Sequence, residues 1–157
     1  MKKAVNHILF LSLGILLLTA CGADSTKITD GAEVIVNSNS NSIAKMSFHS
    51  AGSSSTQVAI QFVDLRQTGA VTGGAVASIT APNSAYIPVT LVFRTKRGIK
   101  VHQIYVPTQQ LFIDSRYPGV SNNLNPVISV KPDEINANGI EIYVGKTLIS
   151  HSVQRVN

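Results

Sequence analysis

From Ile43 onward, apolar and polar side chains alternate with a period of two, and clusters of turn residues cut the alternation into short runs. That period belongs to strands, because successive side chains of a pleated ribbon point to opposite faces. Ala44, Met46 and Phe48 share one face of a first strand, which runs into the Gly- and Ser-rich residues 51–55. Val58, Ile60 and Phe62 line one face of the next run, with Ala59, Val63 and Leu65 on the other. Apolar side chains on both faces predict a central strand rather than an edge one. Residues 69–74 read as a turn, 75–80 as a strand of small residues, and Pro82-Asn83-Ser84 as the next break. Val89, Leu91 and Phe93 form the apolar face of a strand over 86–94, where Pro88 predicts an edge position or a bulge near its start. Beyond the turn at 94–98, strands are expected over 99–106 and 111–114, around Pro107, and again over 127–130. Residues 136–139 read as a turn, and 140–144 with 147–153 as a terminal hairpin around Gly145-Lys146.

No stretch after residue 20 sustains an apolar pattern of helical period. Many short strands at this spacing specify an all-β chain, a single antiparallel β-sandwich over residues 43–157. A sandwich is preferred to a closed barrel because no interior of alternating small and large side chains is evident.

The first residues follow a different rule. Lys2 and Lys3 precede an apolar run from Ile8 to Leu18, too short and too early for a convincing membrane span. A positive head, a short apolar middle and small residues before a processing point are the parts of a secretory signal peptide. The run ends in Leu18-Thr19-Ala20-Cys21, which resembles the lipobox of bacterial lipoproteins. That resemblance implies diacylglycerol on the Cys21 thiol, cleavage just before it, and acylation with a fatty acid such as palmitate. A buried methylene contributes roughly 0.8 kcal/mol and one chain anchors only marginally, so two or three chains would make attachment effectively permanent. Gly22 stands where an aspartate would favour inner-membrane retention, so the expected place is the outer membrane, with the domain facing the periplasm. Residues 1–20 are therefore read as the signal peptide and 21–42 as the lipidated N-terminus and a flexible tether. Within that tether 32–36 has the makings of a short strand, and the Asn/Ser alternation of 37–42 is of low complexity.

Composition sharpens this picture. Cleavage removes 20 of 157 residues and leaves 137, enough for one domain with its own core. The formal net charge of +5 falls to +3 once Lys2 and Lys3 are removed, so the mature chain is only mildly basic. That balance argues against nucleic acid as a partner. Cys21 is the single cysteine, which leaves no internal disulfide, thiolate metal cluster or resolving thiol.

Candidate chemistry is sparse. The chain has no Gly-x-Ser-x-Gly elbow and no His-Glu-x-x-His, and residues 69–74 lack the spacing of a phosphate-binding loop. His49, His102 and His151 are far apart in sequence, and Met46 and His49 fall on opposite faces of one strand, so no metal and no cofactor are expected. Asp133 and Glu134 are adjacent in a loop and read as solvent-exposed. Asp64 and Asp114 each end an apolar strand, where a carboxylate accepts backbone N–H groups of the following turn. Tyr117-Pro118 reads as packing its loop onto the sandwich edge. Arg94, Lys96, Arg97 and Lys100 make the one charged cluster, read as a solvated hairpin tip or as a contact for a partner or for anionic headgroups.

Over residues 43–131 the order of features resembles the YscW/YbaY-type lipoprotein family, the type III secretion lipoprotein chaperones (pilotins) and their stand-alone relatives. The resemblance rests on Gln57-Val58-Ala59-Ile60-Gln61-Phe62-Val63-Asp64-Leu65, on the proline-led Tyr86-Ile87-Pro88-Val89-Thr90-Leu91-Val92-Phe93, and on Leu111-Phe112-Ile113-Asp114 running into Tyr117-Pro118-Gly119-Val120. Asn125-Pro126-Val127-Ile128-Ser129-Val130-Lys131 is similar to its closing strand. Two departures stand out: a short basic turn replaces the family's longer Asp-Pro turn, and residues 133–157 extend beyond the closing strand. The resemblance implies a β-sandwich in the outer membrane without catalysis, and a pilotin-like assembly or chaperone role toward a secretin or another envelope protein. The alternative is a general periplasmic binding module for an envelope ligand; the absence of tryptophan argues against a glycan platform.

Overall fold

The computed structural model describes residues 26–72, 85–116, 118–119 and 122–156. The chain forms an all-β sandwich of two antiparallel sheets. One sheet contains β1 (Glu33–Ser38), β2 (Asn41–Ser50), β3 (Thr56–Phe62), β6 (Asn123–Leu124), β7 (Val127–Ile128) and β10 (Ser152–Val156). Its order is β10-β1-β2-β3-β6, and β7 also pairs with β3. The other contains β4 (Tyr86–Thr95), β5 (Gly98–Pro107), β8 (Ile135–Val144) and β9 (Thr147–Leu148), in the order β5-β4-β8-β9.

The two sheets bury the faces that alternation predicts. Met46, Phe48, Val58, Ile60 and Phe62 of the larger sheet meet Val89, Leu91, Phe93, Ile140 and Ile142 of the smaller one in a single core. Phe48 and Phe93 pack edge to face, with ring centroids 6.5 Å apart and planes at 88°, a favoured aromatic geometry. β3 is central as expected, held by β2 on one side and by β6 and β7 on the other. Pro126 lies between β6 and β7, and its carbonyl still accepts the Val58 N–H at 2.8 Å.

Several expectations change. The segment taken as tether is not one over its second half. β1 and β2 form a hairpin through Asn39 and Ser40, with Asn39 at φ 53°, and Val34, Val36 and Ser38 are buried. The Asn/Ser composition hid this because the buried positions there alternate with polar partners. The ordered body therefore begins before Ile43, with Ile28 already fully buried.

Residues 111–114 are not a strand. A short helix, α1 (Thr108–Phe112), follows Pro107 and ends in a left-handed Ile113 at φ 43°. Leu111 and Phe112 are both buried. A strand would point these neighbours to opposite faces and leave one in water, whereas a helical turn lets both reach the core.

Pro88 is not on an edge strand, since β4 lies between β5 and β8. Its carbonyl accepts the Gly145 N–H at 2.8 Å, so its ring nitrogen points the same way, past the end of β8. The last β8 pair is Val89 with Val144, so the missing N–H interrupts no ladder bond.

Residues 136–139 are a bulge within β8 rather than a turn. Phe93 faces Ile140 while Thr95 faces Ile135, so β8 advances five residues where β4 advances two. The extra length is occupied by the N-terminal segment: Ala137 N–H donates to the Thr26 carbonyl at 2.7 Å and Ile28 N–H to that of Ile135 at 3.2 Å. The C-terminal hairpin is also reassigned. β9 pairs with β8, but the chain then crosses at Ile149–Ser150 and β10 joins β1 in the other sheet. Buried Ser150 marks the crossing, its Oγ accepting the Ile142 N–H at 2.9 Å. The expected strand at 75–80 and the break at 82–84 lie outside the described residues.

Gly139 gives the sharpest test of the bulge. A Cβ there would lie 2.5 Å from the Arg94 Cβ and 3.0 Å from its Cγ, so the strand backbones would have to part. Gly139→Ala is expected to lower the unfolding free energy in urea by about 1–3 kcal/mol, the usual cost of overpacking. Asn138→Ala, at an exposed neighbour, should leave it nearly unchanged.

Candidate functional site

Cys21 and Tyr117 lie outside the described residues. The four basic residues lie on the β4–β5 hairpin, whose turn is Lys96-Arg97, with Arg94 on the outer face of the sheet and Lys100 on the core-side face. Gly98 at φ 99° completes the turn, and Thr95 Oγ donates to the Gly98 carbonyl at 2.7 Å while accepting the Arg97 N–H at 3.1 Å. The cluster is half neutralised. Arg94 Nη2 lies 2.8 Å from Glu141 Oε1, and Arg97 Nε 2.6 Å from Glu134 Oε1. Lys96 and Lys100 stand outside any ion pair among the described residues. Arg94, with help from the Tyr143 hydroxyl, holds the Glu141 carboxyl below the ordinary carboxylate range, and Glu141 in turn raises the Tyr143 hydroxyl.

Glu134 departs from the exposed reading. Its side chain is only 14% exposed, pinned between Arg97 and the Lys131 N–H, which it accepts at 3.2 Å in a capping box over a 3-10 turn (Pro132–Glu134). Asp133 is exposed, so the two carboxylates diverge. The three histidines fall on separate elements: His49 in β2, His102 in β5 and His151 just before β10, where its Nδ1 lies 3.2 Å from Ser38 Oγ. Among the described residues no group of three His, Cys, Asp or Glu side chains is placed to hold a metal ion.

Asp64 and Asp114 accept turn N–H groups in the same way. Asp64 Oδ1 takes the Arg66 N–H at 3.0 Å, and Asp114 Oδ1 takes the Arg116 N–H at 3.0 Å. Each arginine also folds back on its own aspartate, and Arg66 in addition donates to the Phe112 carbonyl and lies 5.1 Å over the Phe112 ring. Arg66, with the Leu65 N–H donating to the Leu111 carbonyl, fastens the 64–66 loop to α1.

A further feature escaped the sequence reading: the outer face of the smaller sheet. Val92 opposes Val101 there, Pro88 opposes Tyr105, and Tyr143 opposes both Thr90 and Leu148. Tyr86, Ile99, Val101, Tyr105 and Leu148 are five of the nine large apolar side chains exposed among the described residues, and all five lie on this face. The outer face of the larger sheet is more polar, carrying Glu33, Lys45, Ser47, Gln57 and Gln61, and two of the nine, Val127 and Val156, lie at its two edges. It holds a shallow groove of about 250 Å³ between Lys45, Gln61 and Asn123. Apolar area concentrated on one side of a sandwich marks a binding surface rather than scattered exposure.

β5 is the edge of that apolar face. It is ten residues long, pairs with β4 throughout without a register shift, and carries Lys100 as its only full charge. Charged side chains, bulges and short length are the usual guards of an exposed edge, and β5 has few of them. The signal was present in the sequence as Ile99, Val101 and Tyr105 in alternation, but alternation does not say whether such a stripe points inward. Tyr86 and Tyr105 place two aromatic rings on this face, being 57% and 69% exposed.

No family model, no curated protein and no solved structure matches the chain. Among the described residues no helix is long and apolar enough to cross a membrane.

The Asp-x-Arg geometry makes a pH prediction. Arg116, through its side chain and its backbone N–H, holds the Asp114 carboxyl at about 2, below the model-peptide value of 3.8. A depressed carboxylate contributes stability in full above its unfolded value and loses it as the pH falls through its folded one. A side-chain carboxyl NMR titration should therefore place the Asp114 midpoint well below 3.8, and Arg116→Ala should move it back up.

Proposed function

We propose that this chain is a non-catalytic, lipid-anchored envelope protein that holds an extended segment of a partner on the outer face and free edge of the β5-β4-β8-β9 sheet. The observation that carries the reading is the one-sided distribution of exposed apolar side chains, with an edge strand beside them. An extended partner segment adding to β5 would satisfy the edge ladder and lay alternate side chains over Val101 and Tyr105. The anchor reading is supported by Leu18-Thr19-Ala20-Cys21 behind a basic and apolar leader. Diacylglycerol on Cys21 would hold the protein at the periplasmic face of the outer membrane.

Within that reading the chain acts as a pilotin-like assembly or chaperone factor for a secretion-apparatus subunit, a secretin under the resemblance to the YscW/YbaY-type family. No nucleic acid, metal or cofactor enters this role. A general periplasmic binding module is the second reading. It is favoured by the polar groove on the larger sheet, where hydroxyl, amide and charged groups line one shallow site.

The test uses crosslinking and co-purification from the native host. Wild type should fractionate with the outer membrane and recover a secretion subunit. Val101→Lys should stay in the membrane and recover about tenfold less of it, the cost of one central contact. Cys21→Ser should be released into the periplasm. Recovery of the subunit unchanged by Val101→Lys would remove the β5 face from the mechanism. Absence of any secretion component beside a membrane-bound wild type would remove the pilotin-like role and leave the general module.

A further inference from the structure

The strands run between two ends of the sandwich, and one end gathers Thr26, the 51–55 loop, the Lys96-Arg97 tip, the Pro132–Glu134 turn and the close of β10. The chain joins this end from residue 25, because Thr26 and Lys27 pair with Ala137 and Asn136 in the β8 bulge. A cavity of about 230 Å³ separates Lys27 from Lys96, with Glu134 and Arg94 on its wall. The opposite end carries the Asn39-Ser40 turn, α1 and the Gly145-Lys146 turn.

Charge is unevenly shared between these ends. Glu33, Glu134 and Glu141 are each engaged by a cation, Lys45, Arg97 and Arg94 respectively. Among the described residues this leaves Lys27, Lys96, Lys100, Lys131 and Arg155 outside ion pairs at the Thr26 end, against Asp30 and Asp133. At the far end Asp64 and Asp114 are paired with Arg66 and Arg116, and Lys146 stands alone.

Chain length now decides the orientation. Five Cα–Cα steps join Cys21 to Thr26, and at 3.8 Å each they span at most about 19 Å. We infer that the Thr26 end of the sandwich rests on the membrane, with Lys27, Lys96 and Lys100 against anionic phospholipid headgroups. This rests on the proposed lipid anchor at Cys21. A tether this short lets the Thr26 end reach the surface, and within one Debye length of it, about 8 Å at physiological salt, each excess cation adds to the attraction. The apolar face of the smaller sheet then stands along the membrane normal, open to the periplasm.

The chain has one cysteine, so a second can be labelled alone if Cys21 is acylated. The full lipidated protein, reconstituted in phosphatidylcholine vesicles with and without phosphatidylglycerol, is made as wild type, Asn138→Cys and Lys146→Cys. Asn138 is exposed beside Arg94 and Thr26, and Lys146 is exposed at the far end. Maleimide dyes are read against lipids carrying a headgroup quencher. Strong quenching at residue 138, weak quenching at residue 146, and an increase at residue 138 with phosphatidylglycerol are the expected results. Replacing Lys27, Lys96 and Lys100 by glutamine in the Asn138→Cys protein should lower the contact equilibrium about fivefold per lysine. Equal, weak quenching at both positions, or quenching indifferent to phosphatidylglycerol, overturns the inference while the anchor stands. A wild-type thiol that reacts with maleimide overturns the anchor itself, and the headgroup contact with it.

Discussion

The edge-to-face contact of Phe48 with Phe93 is the join on which the molecule depends, because it ties a strand of each sheet into one core. Burying side chains of this size contributes roughly 1.5–3 kcal/mol each. Once those faces are committed inward, the pleat dictates what each sheet shows to water. In β2 and β3 the leftover positions are mostly polar or charged, Lys45, Ser47, His49, Gln57 and Gln61, with Ala59 among them. In β4 and β5 they include Tyr86, Pro88, Val92, Ile99, Val101 and Tyr105, interrupted by Thr90, Arg94 and Gln103. The same constraint that builds the core thus sorts the surface into a polar side and an apolar one.

Much of this was legible in the sequence. The inward stripes Met46-Phe48, Val58-Ile60-Phe62 and Val89-Leu91-Phe93 follow from period-two alternation alone, since a slip of one residue would expose all of them. What composition concealed was context. Asn37 to Asn41 looks like linker until one sees that Ser38 is buried beside His151, a residue more than a hundred positions away. Leu111 and Phe112 look like strand because short apolar runs carry no period, and only a core on one side of both selects the helical turn. The bulge at 136–139 depends on the N-terminal segment filling it, a partner no local window contains.

The candidate site was less legible, for a related reason. The basic hairpin was visible as a run of charges, but its partners Glu134 and Glu141 arrive from β8 and the turn before it. Pairing converts two of four cations into structure and leaves the others as a smaller, more localised excess. The apolar face was hidden differently. Ile99, Val101 and Tyr105 have the signature of an inward stripe, and their strand in fact spends Ile104 and Val106 on the core side. The same side carries Lys100 and His102 toward the start of the strand, as fits its place at an edge.

The pairing of β1 with β10 sets the order in which the chain can be completed. Among the described strands β1 is made first and β10 last, and Val36 lies opposite Val153. Until the C-terminal residues emerge, one edge of the larger sheet has no closing strand and the crossing at Ser150 has not formed. Folding therefore waits on a closure spanning nearly the whole body, a high-contact-order step that is slow compared with local hairpins. A chain built this way stays unfinished while it is made from its N-terminus, and it locks only when β10 is free to join β1.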